Sequence, residues 1–568
     1  MSRFSTQVIQ DVTRNFESID TPCFNKSEQE FPQHLLENIQ EFIPIYNRFI
    51  DVSANTYHSA MCLNHRYHVI NGKQVFDRKE NQSQEQDFFV KFSPLLDPLR
   101  YMIGKYDQYG EHARILPSVG TKHQISKLDD MNNCAYTDGF FYYLSSRLQE
   151  ICYFPHGINY FGSILAIQKY FKINVEDDLE YLTGSRFFNE NVNKLFVITN
   201  SQYESYGGTC KNKEPIKVSN TLKHNITCCS LEDTFTNIEN ENITDITDEL
   251  IYEHPQQDIK KEDNSDISSQ TSSSNSSLNY SSHSSNKDME EDEGDEDDSQ
   301  WETEEEEDDD DESSLCSSME EAHAIIYDYP VQVICLEKCQ GTLDSMFENN
   351  QINEENGACI LFQIIMILLC YQKVFHFTHN DLHTNNIMYN NTSESHLYYK
   401  YKNQYYKVPT QGKLFKLIDF GRSIYKFGGS TFCSDSFAPS GDASSQYNCE
   451  PYMNEDKPRI DPNMSFDLCR LGCSIYDFII HDNDENHYDM LQKTIQRWCT
   501  DDNGKNMLYK KNGDDRYPNF KLYKMIARSV HAHTPDEQLK YDYFKQFACD
   551  KPNETNHIID IDEMVYHG

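Results

Sequence analysis

Basic residues are scarce in this chain of 568 residues: 50 Lys and Arg stand against 92 Asp and Glu, a formal net charge of −42. A nucleic-acid surface needs a basic stripe, so that class of partner is not expected. Part of the deficit is local. Asp288–Glu312 holds nineteen acids and no Lys or Arg, which leaves −23 for the other residues, still compatible with a folded protein that has a basic pocket. The eighteen cysteines include no C-x-x-C pair. Cys335/Cys339 and Cys469/Cys473 are spaced i, i+4 in apolar runs, which reads as reduced buried thiols of an intracellular protein, not a zinc site built from two clustered pairs. The N-terminus, M-S-R-F-S-T-Q-V, has no apolar segment of the kind a secretory signal needs. The longest apolar run, Ala358–Cys370, has thirteen residues and includes Gln363. A bilayer span takes about 20, so no membrane segment is expected and the run reads as a buried core helix.

What is present is one dense motif region. His379–Tyr389 reads H-N-D-L-H-T-N-N-I-M-Y, and about thirty residues on Leu417–Gly421 reads L-I-D-F-G. Asp381 stands five residues before Asn386, and Asp419 ends an apolar strand. Phosphoryl transfer asks a protein for a group that orients the attacking hydroxyl, oxygen ligands for divalent ions and positive charge on the phosphates. These two segments supply the first two. An Asx-rich turn with no chemistry is the bland account of Asp381 and Asn386, but it does not predict Asp419. A zinc protease reading of His379 and His383 fails, because Asn380 stands where a Glu is needed.

The third requirement, positive charge, must come from the remainder of the chain. Residues 1–41 are polar and carry no motif. From Phe42 a β-like region begins, with Ile43–Ile50 and Met61–Ile70 as strands and Asn71–Gly72 as a tight turn. In Phe88–Phe92, F-F-V-K-F, Lys91 sits either on a solvated face or in a cleft facing phosphate. Its four apolar neighbours leave it no obvious wet side. Tyr136–Glu150 has Phe140, Phe141, Leu144 and Leu148 at helical spacing. Asp138 near its start is either a helix-start acid or the partner of Lys91. Ser265–Ser285 has twelve serines in twenty-one residues, and the acidic run follows. Such composition cannot bury enough apolar surface to offset chain entropy, so 201–321 reads as a disordered insertion. Ser299 and Thr303 in it each have an acid three residues on, as an acidophilic kinase would require. Order resumes with a buried strand to Leu336, the connector Glu337–Gly341 and a long helix over Asn353–Phe375. Asn390–Gly412 then reads as a surface hairpin, Leu414–Ile418 as a strand and Ser465–Ile480 as an apolar helix. Further helices cover Tyr488–Trp498 and Phe520–His531.

This order resembles the protein kinase-like superfamily, over roughly 42–200 and 322–547. The wording of N-D-L-H-T-N-N-I-M, F-V-K-F-S-P-L-L-D-P and P-N-M-S-F-D-L-C-R-L is similar to the serine/threonine-protein kinases of giant DNA viruses of the mimivirus type. The resemblance implies an α+β, two-lobed kinase-like fold. Its β-rich N-lobe would comprise 42–200 and the strand 322–336, interrupted by the acidic insertion, and its helical C-lobe 337–568. It implies an ATP- and Mg²⁺-dependent kinase in the host cytoplasm or virion, acting on a protein substrate, with a basic protein as a further candidate partner for the insertion. Asp381 would be the catalytic base, Asn386 and Asp419 the Mg²⁺ ligands, and Lys91 the cation on the α- and β-phosphates. Asp138 would pair with Lys91 where the family normally has Glu. Glu337 and Cys339 would meet adenine through their backbone, with Leu336 as gatekeeper. His379 and Asp467 would hold the catalytic loop.

Four departures are evident. No G-x-G-x-x-G precedes Lys91; Val52–Tyr57 and the Asn71–Gly72 hairpin are candidate places for a phosphate-gripping turn, but neither offers several glycines. Asn380 replaces the usual Arg and His383 the usual Lys, and no A-P-E follows Gly421. A pseudokinase or scaffold that works through its acidic insertion, and a kinase for a small molecule, are the alternatives.

Overall fold

The computed structural model describes residues 36–49, 63–199, 322–481, 485–518, 520–553 and 555–564. Val52–Tyr57, the expected insertion 201–321, and Ser299 and Thr303 within it lie outside the described residues. The described residues form a mixed α+β structure with several sheets.

Aromatic and β-branched residues favour the pleated, half-buried surface of a strand, and they dominate the sheet that carries Lys91. Its strands are β1 (Leu36–Gln40), β5 (Phe88–Pro94), β6 (Tyr160–Asn174), β7 (Phe196–Ile198) and β8 (His323–Glu337). The order is β1-β6-β8-β5 with β7 also on β8, and every pairing is antiparallel. Lys91 lies opposite Ile334, and Phe88 opposite Glu337. β1 falls within the expected N-terminal extension, so the sheet starts earlier than composition suggested. Ile43–Phe49 is no strand: Pro44–Arg48 forms a 3₁₀ turn with Pro44, Ile45 and Tyr46 buried. Proline's fixed φ and missing N–H suit the first position of such a turn. The Asn71–Gly72 turn joins β2 (Tyr67–Asn71) to β3 (Gln74–Asp77), which with β4 (Gln82–Glu85) make a separate sheet. It docks through Tyr67 on Phe161 and Arg66 on Glu150, and does not pair with β5.

Helix α1 (Cys134–Cys152) lies on this sheet, its start capped by the Asn133 side chain accepting from the Ala135 N–H. Every residue from Ala135 to Leu148 is buried, not the predicted stripe alone. Although it carries polar residues such as Asp138 and Arg147, α1 is a core helix, enclosed by the sheet on one side and by Phe377, Phe420 and Phe432 on the other. At Gly139 the helix runs close to β8, where an added Cβ would stand 2.2 Å from the end of the Gln332 side chain.

Past the connector, the second helix α2 (Glu354–Phe375) opens with a reciprocal Asn353–Asn356 cap and ends on His376 at φ 51°. It is longer than the apolar run inside it, and by length and composition alone could cross a membrane. Yet 89% of its most apolar window is buried within the protein, as befits a core helix. Strands β9 (Gly341–Thr342), β10 (Ile387–Asn391) and β13 (Lys413–Leu417) form a small sheet in which Ile387 faces Leu417. That register brings the two motif segments side by side. Between β10 and β13 the hairpin β11 (His396–Tyr401) and β12 (Gln404–Pro409) turns at Lys402 and Asn403, both with positive φ. After Gly421 comes a second hairpin, β14 (Ile424–Phe427) and β15 (Ser430–Cys433). Helices α3 (Phe466–Ile479), α4 (Met490–Trp498) and α5 (Phe520–Ser529) follow, α3 crossing α4 closely where a Cβ on Gly472 would lie 2.9 Å from Trp498 Cβ. The β11–β12 hairpin is more than surface decoration. It joins β16 (Ala548–Cys549) and β17 (Ile558–Asp560) in a four-stranded sheet and buries Tyr399 and Val408.

Candidate active site

Lys91, Asp138 and Asp419 come from three distant places in the chain and meet. Lys91 Nζ lies 2.8 Å from Asp138 Oδ2 and 2.9 Å from Asp419 Oδ1. Lys91 is not left on a solvated face, since its ammonium is paired with both carboxylates, and Asp138 is its partner from within α1. The Asp138 side chain is 2% exposed and that of Asp419 51%, so one carboxylate is structural in setting and the other is half-exposed. Burial pulls the Lys91 ammonium down, but the two carboxylates outweigh it and hold it well above its usual value. Burial raises the Asp138 carboxyl against the pull of Lys91. Asp419 is held at about 2, chiefly by the Lys91 ammonium. The same geometry therefore separates two carboxylates that share one cation.

Helix α1 also grips the chain around Asp419. Asp138 Oδ1 accepts the Phe420 N–H (2.8 Å), and the Tyr142 hydroxyl accepts the Asp419 N–H (2.8 Å). Positions i and i+4 share a helix face, which is why one helix reaches two consecutive amides. Asp419 itself has φ 62°, a conformation sparsely populated outside glycine and retained where surroundings over-determine it. The Phe420 ring is buried, with its centroid 4.6 Å from that of Phe141 and 4.8 Å from that of Tyr142.

The loop Thr378–Asn386 is anchored from below. The N–H groups of His379 and Asn380 both donate to Asp467 of α3, at 2.9 Å each for the shorter bonds, and His379 Nε2 meets the Ile418 carbonyl at 2.9 Å. Burial raises the Asp467 carboxyl, against His379 and these two N–H groups. Asn386 Nδ2 donates to the Asp381 carbonyl (2.9 Å), and the Ile418 N–H donates to the Asn386 carbonyl (3.0 Å). An amide has one side-chain acceptor; with Nδ2 committed inward, Asn386 Oδ1 is the atom left for a cation. Thr384 bonds Asp344 and fixes the loop's far end. Asn380, at φ 63°, is a junction: its Nδ2 donates to the Arg422 carbonyl (3.0 Å) and its Oδ1 accepts from the Tyr447 hydroxyl (2.7 Å). His383 is half-buried and burial lowers its pKa, so it supplies no fixed positive charge at neutral pH.

At the connector, Leu336 is buried opposite Phe89. The Glu337 carboxylate turns inward, to Lys416 Nζ (2.6 Å), Asn390 Nδ2 (2.9 Å) and the Asn159 N–H (2.9 Å). It braces the connector from beneath. Burial pushes the nearby Cys339 thiol up to about 12, so it is neutral.

No protein-family model and no curated protein matches the chain.

Sequence reasoning missed three members of this site. Tyr142 is one aromatic among several in α1, although its i+4 spacing from Asp138 is a usable signal. Tyr523 donates to Asp381 Oδ1 (2.7 Å) from α5, 142 residues away, with no local cue. Arg470, an early charge on α3, donates through Nε to Tyr523 (3.0 Å).

Proposed function

We propose that this chain is an ATP- and Mg²⁺-dependent phosphotransferase, a protein serine/threonine kinase of atypical sequence with a two-lobed kinase-like architecture. The observation that carries the reading is the ion-pair set Lys91–Asp138–Asp419, 2.8 and 2.9 Å, beside a loop in which Asp381 and Asn386 are tied together. In this reading the β1-β6-β8-β5 sheet with α1 is the smaller lobe, α2 to α5 the larger, and Glu337–Gly341 the joint where adenine meets the backbone of Glu337 and Cys339.

The residues present fit the implied groups. Among the described residues no cluster of three His, Cys, Asp or Glu is suited to a metal. Mg²⁺ on a nucleotide is commonly held by one or two protein oxygens with phosphates and water for the rest, and Asn386 Oδ1 with the half-exposed Asp419 carboxylate meets that need. Bound there, the ion would neutralise phosphate charge. Lys91 would bring a fixed positive charge to the phosphates, held in place by Asp138. Asp381 would orient the acceptor hydroxyl and take its proton.

One observation favours a second reading, a pseudokinase. Among the described residues β5 is an edge strand, so no glycine-rich hairpin pairs beside Lys91. One experiment separates the two. Full-length protein with Mg²⁺ and γ-labelled ATP is expected to label itself or a generic protein acceptor, and Asp381→Asn to abolish labelling with an unchanged melting curve. Equal labelling by the variant would remove Asp381 from the role of base. A nucleotide-dependent thermal shift with no labelling would favour the pseudokinase.

A further inference from the structure

Asp381 does not stand alone. Its Oδ1 accepts from the Tyr523 phenol at 2.7 Å, and Tyr523 in turn meets Arg470 Nε at 3.0 Å. Arginine can only donate. The phenol oxygen must therefore be the acceptor of the Arg470 contact, which commits its own proton to Asp381. The direction of the chain, Arg470 to Tyr523 to Asp381, is thus fixed by donor chemistry. A bond of this kind to an ionised carboxylate is among the stronger ones.

The ring that presents this hydroxyl is itself clamped. The Arg470 guanidinium lies 5.1 Å and that of Arg422 5.8 Å from the Tyr523 centroid, and Phe466 and Phe520 flank it at 6.0 and 5.8 Å. Arg422 follows Gly421 directly, and Arg470 lies three residues after Asp467, which holds the His379 and Asn380 amides. The aromatic plate therefore rests on both segments that build the site.

We infer that Tyr523 is a positioning residue for the reaction: it fixes the rotamer of Asp381 through Oδ1 and passes on the polarisation of Arg470, so that Oδ2 is the oxygen presented to the acceptor hydroxyl. The inference rests on the kinase reading above. It also accounts for a cation near the base in a loop where His383 supplies none.

The test uses the full chain. Tyr523→Phe keeps the ring between its two guanidiniums and deletes only the hydroxyl. The expected result is a fall in kcat of tenfold or more, since a hydrogen bond to a charged group contributes about 1.5–3 kcal/mol. KM for ATP should stay as in wild type, and kcat is read well below the melting temperature, because the lost bond also lowers stability. Arg470→Gln should lower kcat in the wild-type background and add nothing in Tyr523→Phe, because Arg470 acts through the phenol. An unchanged kcat would reduce Tyr523 to packing, and a raised kcat would make it an obstruction to the acceptor; either overturns the inference. A second measurement needs no activity. Burial raises the Tyr523 phenol's pKa, Arg470 lowers it and Asp381 raises it. In ¹³Cζ-tyrosine NMR, with the signal assigned by its loss in Tyr523→Phe, Asp381→Asn should therefore move the phenol's titration to lower pH. No movement refutes the relay itself, whereas a moved titration in a protein without phosphoryl transfer refutes the kinase reading and with it the positioning role.

Discussion

Replacing Lys91 with Met gives the sharpest check on the buried charges, because it can be read without any enzymatic assay. The substitution keeps the volume of the stem and removes the ammonium. Asp138, 2% exposed, would keep the Phe420 N–H at 2.8 Å and the Ser93 hydroxyl at 3.3 Å but lose its cation. Stranding one member of a buried pair costs about 3–5 kcal/mol, and that is the loss of stability expected at pH 7. The loss should depend on pH. Burial raises the Asp138 carboxyl, and without Lys91 nothing of opposite charge in this site opposes that rise. A group with a raised folded-state pKa destabilises the fold at high pH, and the deficit is recovered as pH falls toward the unfolded value. The difference between variant and wild type should therefore shrink on going from pH 7 to pH 5, by at most about 1.4 kcal/mol per pH unit. Asp419 works in the opposite sense: in the wild type its stabilisation is complete above the ordinary carboxylate range and is lost only as pH falls through about 2. It contributes no slope between pH 5 and 7. Urea unfolding at pH 5, 6 and 7 of wild type, Lys91→Met and Lys91→Met/Asp138→Asn would measure this, the double variant being flat with pH. A loss of equal size at every pH in the single variant would mean that Asp138 is not the charge Lys91 compensates.

Three further outcomes follow from the same framework. Asp435 accepts the Cys134 N–H at the start of α1 (3.0 Å) and pairs with Lys127; Asp435→Asn should loosen the first turn of α1, seen as faster hydrogen exchange there, at about 1 kcal/mol. Gly157→Ala would put a Cβ 2.4 Å from the backbone carbonyl of Ser145, which cannot swing away, so a destabilisation of about 1–3 kcal/mol is expected in urea. Lys416→Met would leave the Glu337 carboxylate with only neutral donors beneath the connector; a loss of about 3–5 kcal/mol, partly restored by adding Glu337→Gln, is the expected signature in thermal melts.

The long elements were legible because their sequences are consistent at every level. The aromatic spacing of Tyr136–Glu150, the Val- and Ile-rich approach to Leu336 and the apolar Ala358–Cys370 each allowed one assignment. Pro44–Arg48 misled because a short apolar run has no period to separate a strand from a tight turn. The β14–β15 hairpin did leave a mark, Gly428-Gly429 between residues suited to strands, a turn signal masked by surrounding serines and glycines. At the site, the carboxylates and amide were visible as letters at fixed spacing. Whether Lys91 faced solvent or Asp138 was not, since that depends on how closely α1 packs on β8. Tyr523 could not be found at all, because its link to Asp381 exists only once α5 has packed on α3.

The grip of α1 on two successive amides has a bearing on pharmacology. Asp138 bonds Lys91 and the Phe420 N–H with its two oxygens, while Tyr142 takes the Asp419 N–H one helical turn away. A small molecule designed to evict the Phe420 ring and occupy its nest would have to break both amide contacts together and leave the buried Asp138 carboxylate short of a donor. Such compounds should bind this protein weakly. Ligands that leave the Phe420 ring in place meet no such barrier.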